Sequence, residues 1–409
     1  MSTLTIPKFG DATLTPQVLK RNRIESIDLL RGIVMIIMAL DHVRDYFHYD
    51  AFQYDPADLS RTSVFLFFTR FITHYCAPIF VFLAGVSAYL YGINKNKKEL
   101  AYYLFTRGLW LVFAELFIIT LAWTFNPSYP VFHLQVIWAI GISMIVLSAL
   151  IYLNKNLILV TGILLIAGHN LFDTVHLPGK SFASFFWSFL HEPGDFSVGQ
   201  FKIFVRYPVL PWIGIMALGY CFGSLYNSSY DPEKRKKTLL CIGLSLITLF
   251  LVLRIFNIYG DAAIWTSQKN IVFSLLSLLN VTKYPPSLLY ILITLGPAMI
   301  FLSVAEKPLN RVTEKIAVFG RVPFFYYVAH LYLIHLFAII GAIISGYRWS
   351  DMILSTRVNR VPELKGYGFN LLTVYMLWIG LVLLLYPCCK WFDRYKRQHQ
   401  STRKWLSYL

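Results

Sequence analysis

The sequence predicts an all-α polytopic membrane protein, a bundle of about ten transmembrane helices with both termini cytoplasmic. Three observations predict it. Of 409 residues, 57% are hydrophobic and only 14% are charged, where a soluble domain averages about 25% charged residues. Mean hydropathy is +0.57. Apolar runs close to one bilayer span, about 20 residues, recur along the chain, and the loops between them alternate in charge.

Ten runs are long enough to cross: 27–46, 71–92, 104–124, 132–153, 157–172, 207–226, 238–258, 285–304, 319–345 and 370–389. The fifth is short and the ninth is long. Segment 271–281 reads as an interfacial piece. The stretch 62–92 is too long for one upright span, and Arg70 and His74 interrupt it. Pro78 removes a helix hydrogen bond just beyond them. An amphipathic or re-entrant lead-in is expected there. Irregular backbone at that depth needs protein or a wet cavity around it, which suggests a cavity near His74.

The loops "NKNKK" (94–98), "NKN" (154–156), "DPEKRKK" (231–237) and "EKPLNRVTEK" (306–315) are short and basic. With Lys8, Lys20, Arg21 and Arg23 and the tail they fall on one side, which the positive-inside rule makes cytoplasmic. The opposite loops, 47–62, 173–206, 259–284 and 346–368, should cap the exoplasmic face. Their aromatic residues Trp187, Tyr259, Trp265, Tyr284 and Trp349 suit either sugar rings or the bilayer interface. The formal charge of +16 follows from this topology and gives no reason to invoke nucleic acid. Anionic lipid headgroups or a phosphate-bearing cytosolic ligand are secondary readings. A polar segment, 1–24, precedes the first run, which therefore reads as a retained signal anchor. The membrane domain spans 25–390 and a basic cytoplasmic tail 391–409. The five cysteines lie in or beside apolar runs and read as packing residues. In a bacterium such a protein would reside in the inner membrane.

Ionisable groups inside spans are the candidates for chemistry, because charge is costly there. Arg31 and His42 are eleven residues apart, about 20° short of or beyond whole turns and about 16 Å of rise. They share one face of the first helix, Arg31 near the cytosol and His42 near the exoplasm. Asp28 can pair with Arg31. Asp41 or Asp45 can orient His42. Asp28–Arg31 and "DHVRD" also fit plain helix-end caps. Glu115 sits mid-span and needs a basic partner or a proton. His330, in "FFYYVAHLYLIH", lies several turns into the ninth span. Arg107, His74 and His133 are further candidates, whereas His169, His335 and Arg254 read as interfacial anchors. No zinc-spaced His/Cys cluster, P-loop, dinucleotide glycine fingerprint or nucleophile elbow is visible, so no metal is expected. Histidine suits proton transfer near neutral pH, and arginine suits phosphate.

"SIDLLRGIVMIIMALDH" (26–42) resembles the first span of the heparan-alpha-glucosaminide N-acetyltransferase catalytic-domain family, through the "S-[IV]-D-x-x-R-G" start. Arg31 followed by His42 also matches the R-x10-H signature of membrane acyltransferases that O-acetylate sugars. "APIFVFLAGVSAYL" (77–90) and "FYYVAH" (325–330) resemble further family elements. "YPVLPWIGIMALGY" (207–220) and "KYPPSLLYILITLGP" (283–297) are similar to its bacterial branch. The resemblance implies an acyltransferase over 25–390 that takes an acetyl group from cytosolic acetyl-CoA, or another acyl-CoA. It would deliver the group to a carbohydrate or amino-sugar hydroxyl or amine on the exoplasmic side. Arg31, with Asp28 and Arg107, would place the CoA end. His42 would be the base or transient acetyl carrier, with His330, and His74 or His133, completing the site. His42 stands where the heparan enzymes are expected to carry asparagine, so the heparan acceptor itself is not implied. Partners would be membrane lipids, acyl-CoA and the acceptor, with homo-oligomerisation left open. The rival reading is a proton-coupled transporter or lipid flippase using Arg31, Glu115 and His330. Its usual inverted repeats are not visible.

Overall fold

The computed structural model describes residues 24–179, 181–399 and 402–407. The expected N-terminal segment, with Lys8, Lys20, Arg21 and Arg23, lies outside them except for Ile24. The chain opens with α1 (Glu25–Phe47), followed by α2 (Val64–Thr73) and α3 (Cys76–Gly92). Next, α4 (Lys97–Phe113) passes through a π-helical turn, Ala114–Ile119, into α5 (Thr120–Thr124). Strand β1 (Val131–Leu134) leads to α6 (Val136–Leu150), α7 (Lys155–Gly168) and α8 (Phe182–Leu190). The hairpin β2 (Gly194–Val198) and β3 (Phe201–Val205) precedes α9 (Val209–Phe222) and α10 (Pro232–Ile255). The remainder is α11 (Ile271–Leu279), α12 (Leu288–Val304), α13 (Arg311–Arg321), α14 (Pro323–Ile344) and α15 (Leu371–His399).

The protein is thus mostly helical. Among the described residues, seven helical segments are long and apolar enough to cross a membrane: Val64–Gly92, Lys97–Thr124, Lys155–Phe172, Val209–Tyr226, Pro232–Ile255, Pro323–Ile344 and Leu371–His399. Helices α6 and α12 are apolar but shorter, and α1 carries charge at both ends. By length and composition the count is therefore seven, below the ten expected. The outer faces of α10 and α15 expose Leu240, Leu244, Leu372 and Leu383, as lipid-facing surfaces should.

Polar caps start the helices that leave the basic loops. Asn96, Asn154 and Asp231 each accept from the backbone three residues on, at 2.9, 2.9 and 2.7 Å; such a cap stabilises a helix by about 1 kcal/mol. Where α1 crosses α13 the backbones touch. A Cβ on Gly32 would lie 2.2 Å from the Ile316 carbonyl oxygen, and one on Gly320 would lie 1.9 Å from that of Asp28. Gly85 of α3 and Gly219 of α9 meet in the same way. Small residues at a crossing let membrane helices approach closely, which explains the glycines in "LLRG" and "FLAGVS".

Several boundaries differ from those the sequence suggests. The long ninth run is two helices, broken at Val322 with Pro323 opening α14, where its missing N–H costs nothing. Helix α15 runs ten residues past 389 into the expected tail. Its Asp393 binds Arg321 and Arg397 at 2.9 and 2.7 Å. The stretch 62–92 is α2 and α3 with a turn at His74–Tyr75. Segment 271–281 contains the short helix α11. Arg254, expected at an interface, is buried and donates to the carbonyls of Ala263, Ser277, Leu278 and Asn280. His335 is also buried, its ring nitrogens 2.9 and 2.8 Å from the Ala122 and Met352 carbonyls. A three-stranded sheet in the order β1-β3-β2 closes one end of the bundle, β1 parallel and β2 antiparallel to β3. It sets His133 opposite Phe204.

Candidate functional site

Two cavities lie along α1. The larger, about 600 Å³, opens among the loops that carry the sheet, and His42 lines it. The smaller, about 330 Å³, opens at the other end of α1 and is lined by Asp28, Arg31, Met38, Arg107 and Tyr327. Met38 is one turn below His42. The Tyr327 ring lies 6.1 Å from the His42 ring and 5.5 Å from that of His330. The His42–His330 pair therefore stands in the wall between the two cavities.

The geometry of that pair fixes its protons. His330 Nδ1 is 2.8 Å from the Tyr326 carbonyl oxygen, which can only accept, so Nδ1 carries hydrogen. His330 Nε2 is then the acceptor in neutral imidazole. It lies 2.8 Å from His42 Nδ1, with the rings stacked 5.0 Å apart. His42 Nδ1–H donates to it, and His42 Nε2 keeps a lone pair. A neutral imidazole with a free Nε2 can accept a proton or attack a carbonyl carbon.

Neither carboxylate expected to orient His42 does so; His330 holds Nδ1 instead. Asp41 accepts from Arg70 Nη1 through both oxygens, at 3.0 and 2.7 Å, and from Thr73 Oγ1 at 3.0 Å. Arg44 lies 2.8 Å and Lys283 3.9 Å away. Asp45 pairs with Arg44 at 2.6 Å. Breaking such a buried cluster by removing one charge costs about 3–5 kcal/mol. Arg44 is 2% exposed, and its Nε and Nη1 have no hydrogen-bond partner among the described residues. With Arg70, Arg206, Lys283, Arg357 and Arg360 it gives the large cavity six basic side chains against Asp41, Asp45 and Asp55.

His133 lines the same cavity from β1, packed on Phe204 at 5.4 Å. Burial, then the Arg206 guanidinium, pushes its pKa down to about 4. It is neutral at physiological pH. Burial raises the Tyr284 phenol, but Lys283 and Arg70 outweigh it and leave the group below its ordinary value. His74 does not reach this chamber. It is buried against Phe71 and Tyr290, at 6.0 and 5.5 Å between rings, and is absent among the described residues lining either cavity. The cavity expected beside it is displaced to the His42 side of α1.

In the smaller cavity Arg31 donates to Asp28 at 3.3 Å, to the Gly320 carbonyl at 3.2 Å and to Ser87 at 3.0 Å. Arg107 donates to Tyr103 at 3.1 Å. Arg321 and Lys396 join them at the mouth, and the inner walls are apolar, among them Phe80, Ile137 and Met144. Glu115 is fully buried, but it faces α6: its carboxylate accepts from the Trp138 backbone N–H at 3.0 Å and caps that helix. This is a structural position.

Sequence reasoning missed Arg70 and Lys283 as partners of Asp41, and Tyr327 and Trp123 as ring neighbours of His42. The Trp123 ring is 5.0 Å from it. The "KYPP" of residues 283–286 was the available signal for Lys283. No curated protein matches the chain. Residues 23–250, more than half of the chain and including Arg31, His42, Arg70 and His133, match the family described as "Heparan-alpha-glucosaminide N-acetyltransferase, catalytic". The chain belongs to the heparan-alpha-glucosaminide N-acetyltransferase catalytic-domain family.

Proposed function

We propose that this protein moves an acetyl or other acyl group from cytosolic acyl-CoA to a carbohydrate or related acceptor on the exoplasmic side, with His42 carrying the transfer. The family indicates a membrane acetyltransferase. The single observation that carries the finer reading is the His42–His330 pair, 2.8 Å apart, in the wall between two cavities of different chemistry. In this reading ten segments cross the bilayer, α1, α6 and α12 included, and both termini are cytoplasmic. The membrane domain is 25–390.

The smaller cavity suits the donor. Arg31, Arg107, Arg321 and Lys396 offer charge to phosphates at its mouth, and the apolar walls suit a pantetheine arm. The thioester carbonyl then approaches His42 from below. Nε2 attacks the carbonyl carbon, the C–S bond breaks, and CoA leaves as thiolate. The acceptor oxygen or nitrogen, entering the larger cavity, attacks the acetyl carbon; the bond from that carbon to Nε2 breaks, and the acceptor proton passes to the freed Nε2 and on to the CoA thiolate. In direct transfer Nε2 takes the acceptor proton instead, and passes it to the leaving thiolate. Both routes need His42 in the tautomer that His330 imposes. Separate cavities for donor and acceptor favour the first. The surplus of basic groups around the larger cavity favours an acceptor bearing carboxylate, phosphate or sulfate. Arg44 lines that cavity with its Nε and Nη1 unpartnered among the described residues.

The rival transporter is separated from this reading by acetyl-CoA itself. Purified protein should be stabilised by acetyl-CoA, by about 2.7 kcal/mol at a hundredfold excess over the dissociation constant. It should also release free CoA slowly without acceptor. A transporter for another solute shows neither response, and that result would end the acyltransferase reading.

A further inference from the structure

We infer that His169, Asp173 and His191 form a divalent-cation site, and that zinc is the cation it takes. His169 opens the 3₁₀ turn that ends α7, His169–Phe172, and Asp173 follows it directly. His191 closes α8, its N–H bonded to the Trp187 carbonyl at 2.8 Å. One ligand atom from each of the three lies within 4.8 Å of the other two. His191 Nε2 is already 3.2 Å from Asp173 Oδ1.

The second observation is the state of the two rings. Both histidines are 2% exposed. Neither nitrogen of His169 has a hydrogen-bond partner among the described residues, nor has His191 Nδ1. Buried polar side chains are almost always bonded. Two imidazoles sealed beside a carboxylate, each with an unpartnered nitrogen among the described residues, lack what a cation would supply. The carboxylate is held from behind: Asp173 Oδ2 accepts from Asn170 Nδ2 at 2.8 Å, and Asn170 Oδ1 accepts from Leu288 N at 3.0 Å. Metal-binding carboxylates are commonly oriented by such outer hydrogen bonds. Phe172 and Trp187 pack around the His191 ring at 6.2 and 5.2 Å.

Two imidazole nitrogens and one carboxylate oxygen match the three-ligand zinc set, with a fourth tetrahedral position for water. Zinc also binds nitrogen ligands more tightly than iron(II) or manganese(II). Bonds of about 2.1 Å put tetrahedral ligand atoms roughly 3.4 Å apart. The Asp173–His191 edge, at 3.2 Å, is already close to that spacing. The cation would tie the end of α7 to the end of α8. Pro193, two residues past His191, lines the larger cavity, and Asn170 reaches the start of α12. The tie therefore braces one wall of that chamber, away from His42.

The test uses the full chain, free of any histidine tag, in detergent, stripped with chelator, desalted and titrated with zinc sulfate. Metal retained through gel filtration is counted by mass spectrometry. One zinc per chain is expected for the wild type, and at least tenfold weaker retention for His169→Ala and His191→Ala. His176→Ala, an exposed histidine nearby, should retain zinc like the wild type. Cobalt(II) added to the wild type should give the intense visible bands of tetrahedral coordination, which keeps the test decisive if a variant fails to fold. Zinc retention no higher in the wild type than in the His169→Ala/His191→Ala double variant would overturn the site. So would a weak octahedral cobalt spectrum, or stoichiometric retention of iron(II) in place of zinc.

Discussion

Replacing His330 with phenylalanine isolates the contact that orients His42. A flat aromatic ring, somewhat larger, is kept in place, and the acceptor 2.8 Å from His42 Nδ1 is lost. A buried N–H left without its partner costs about 1–3 kcal/mol. His42 recovers part of that by moving its proton to Nε2, and in that tautomer Nε2 can neither attack nor accept a proton. The cost therefore falls on the transfer step. At about 1.4 kcal/mol per tenfold change, kcat should fall roughly 10- to 100-fold. His330 is absent among the described residues lining the smaller cavity, so KM for acetyl-CoA should hold within about twofold. The assay is free-CoA release from acetyl-CoA by purified protein, followed with a thiol reagent. His330→Asn offers a carboxamide oxygen to the same N–H and should recover most of the loss. A phenylalanine variant with wild-type kcat would refute the reasoning. So would one whose defect lies entirely in KM.

Three other outcomes follow from the same coordinates. Arg31→Gln should raise KM for acetyl-CoA about tenfold or more with little change in kcat, because it removes charge at the donor mouth; steady-state kinetics at two salt concentrations check it. Gly320→Val should lower the thermal transition sharply, since its Cβ would lie 1.9 Å from the Asp28 carbonyl oxygen and overpacking costs about 1–3 kcal/mol; detergent thermal melts read it directly. His133, held near a pKa of about 4 against an ordinary 6.5, binds its proton more readily when unfolded. Its stabilising effect is complete above pH 6.5 and is lost as pH falls toward 4, a difference of about 3 kcal/mol. His133→Gln should flatten the fall of the thermal transition across that window.

Much of the frame was legible because membrane helices announce themselves by composition and because the helical repeat is regular. Spacing alone put Arg31 and His42 on one face, and the structure gives each its own cavity on that face. What spacing could not show was partners. Asp41 looked like the mate of its neighbour His42, yet it is taken by Arg70 from α2 and approached by Lys283, 29 and 242 residues away along the chain. The His42–His330 contact joins α1 to α14 across 288 residues. Glu115 was visibly in need of a partner, but the backbone N–H groups at the start of α6 carry no sequence signature. His169 read as an interfacial anchor, and His191 carried no signal that singled it out. Only the folded chain sets them beside Asp173.

The role of His42 as the carrier of transfer is tested most directly by His42→Ala, with binding and chemistry measured on the same sample. Acetyl-CoA should still raise the variant's thermal transition, since the donor cavity is intact. Free-CoA release should fall by about a hundredfold or more, the range for loss of a group in proton transfer. A variant that binds acetyl-CoA and still releases CoA at the wild-type rate would contradict it.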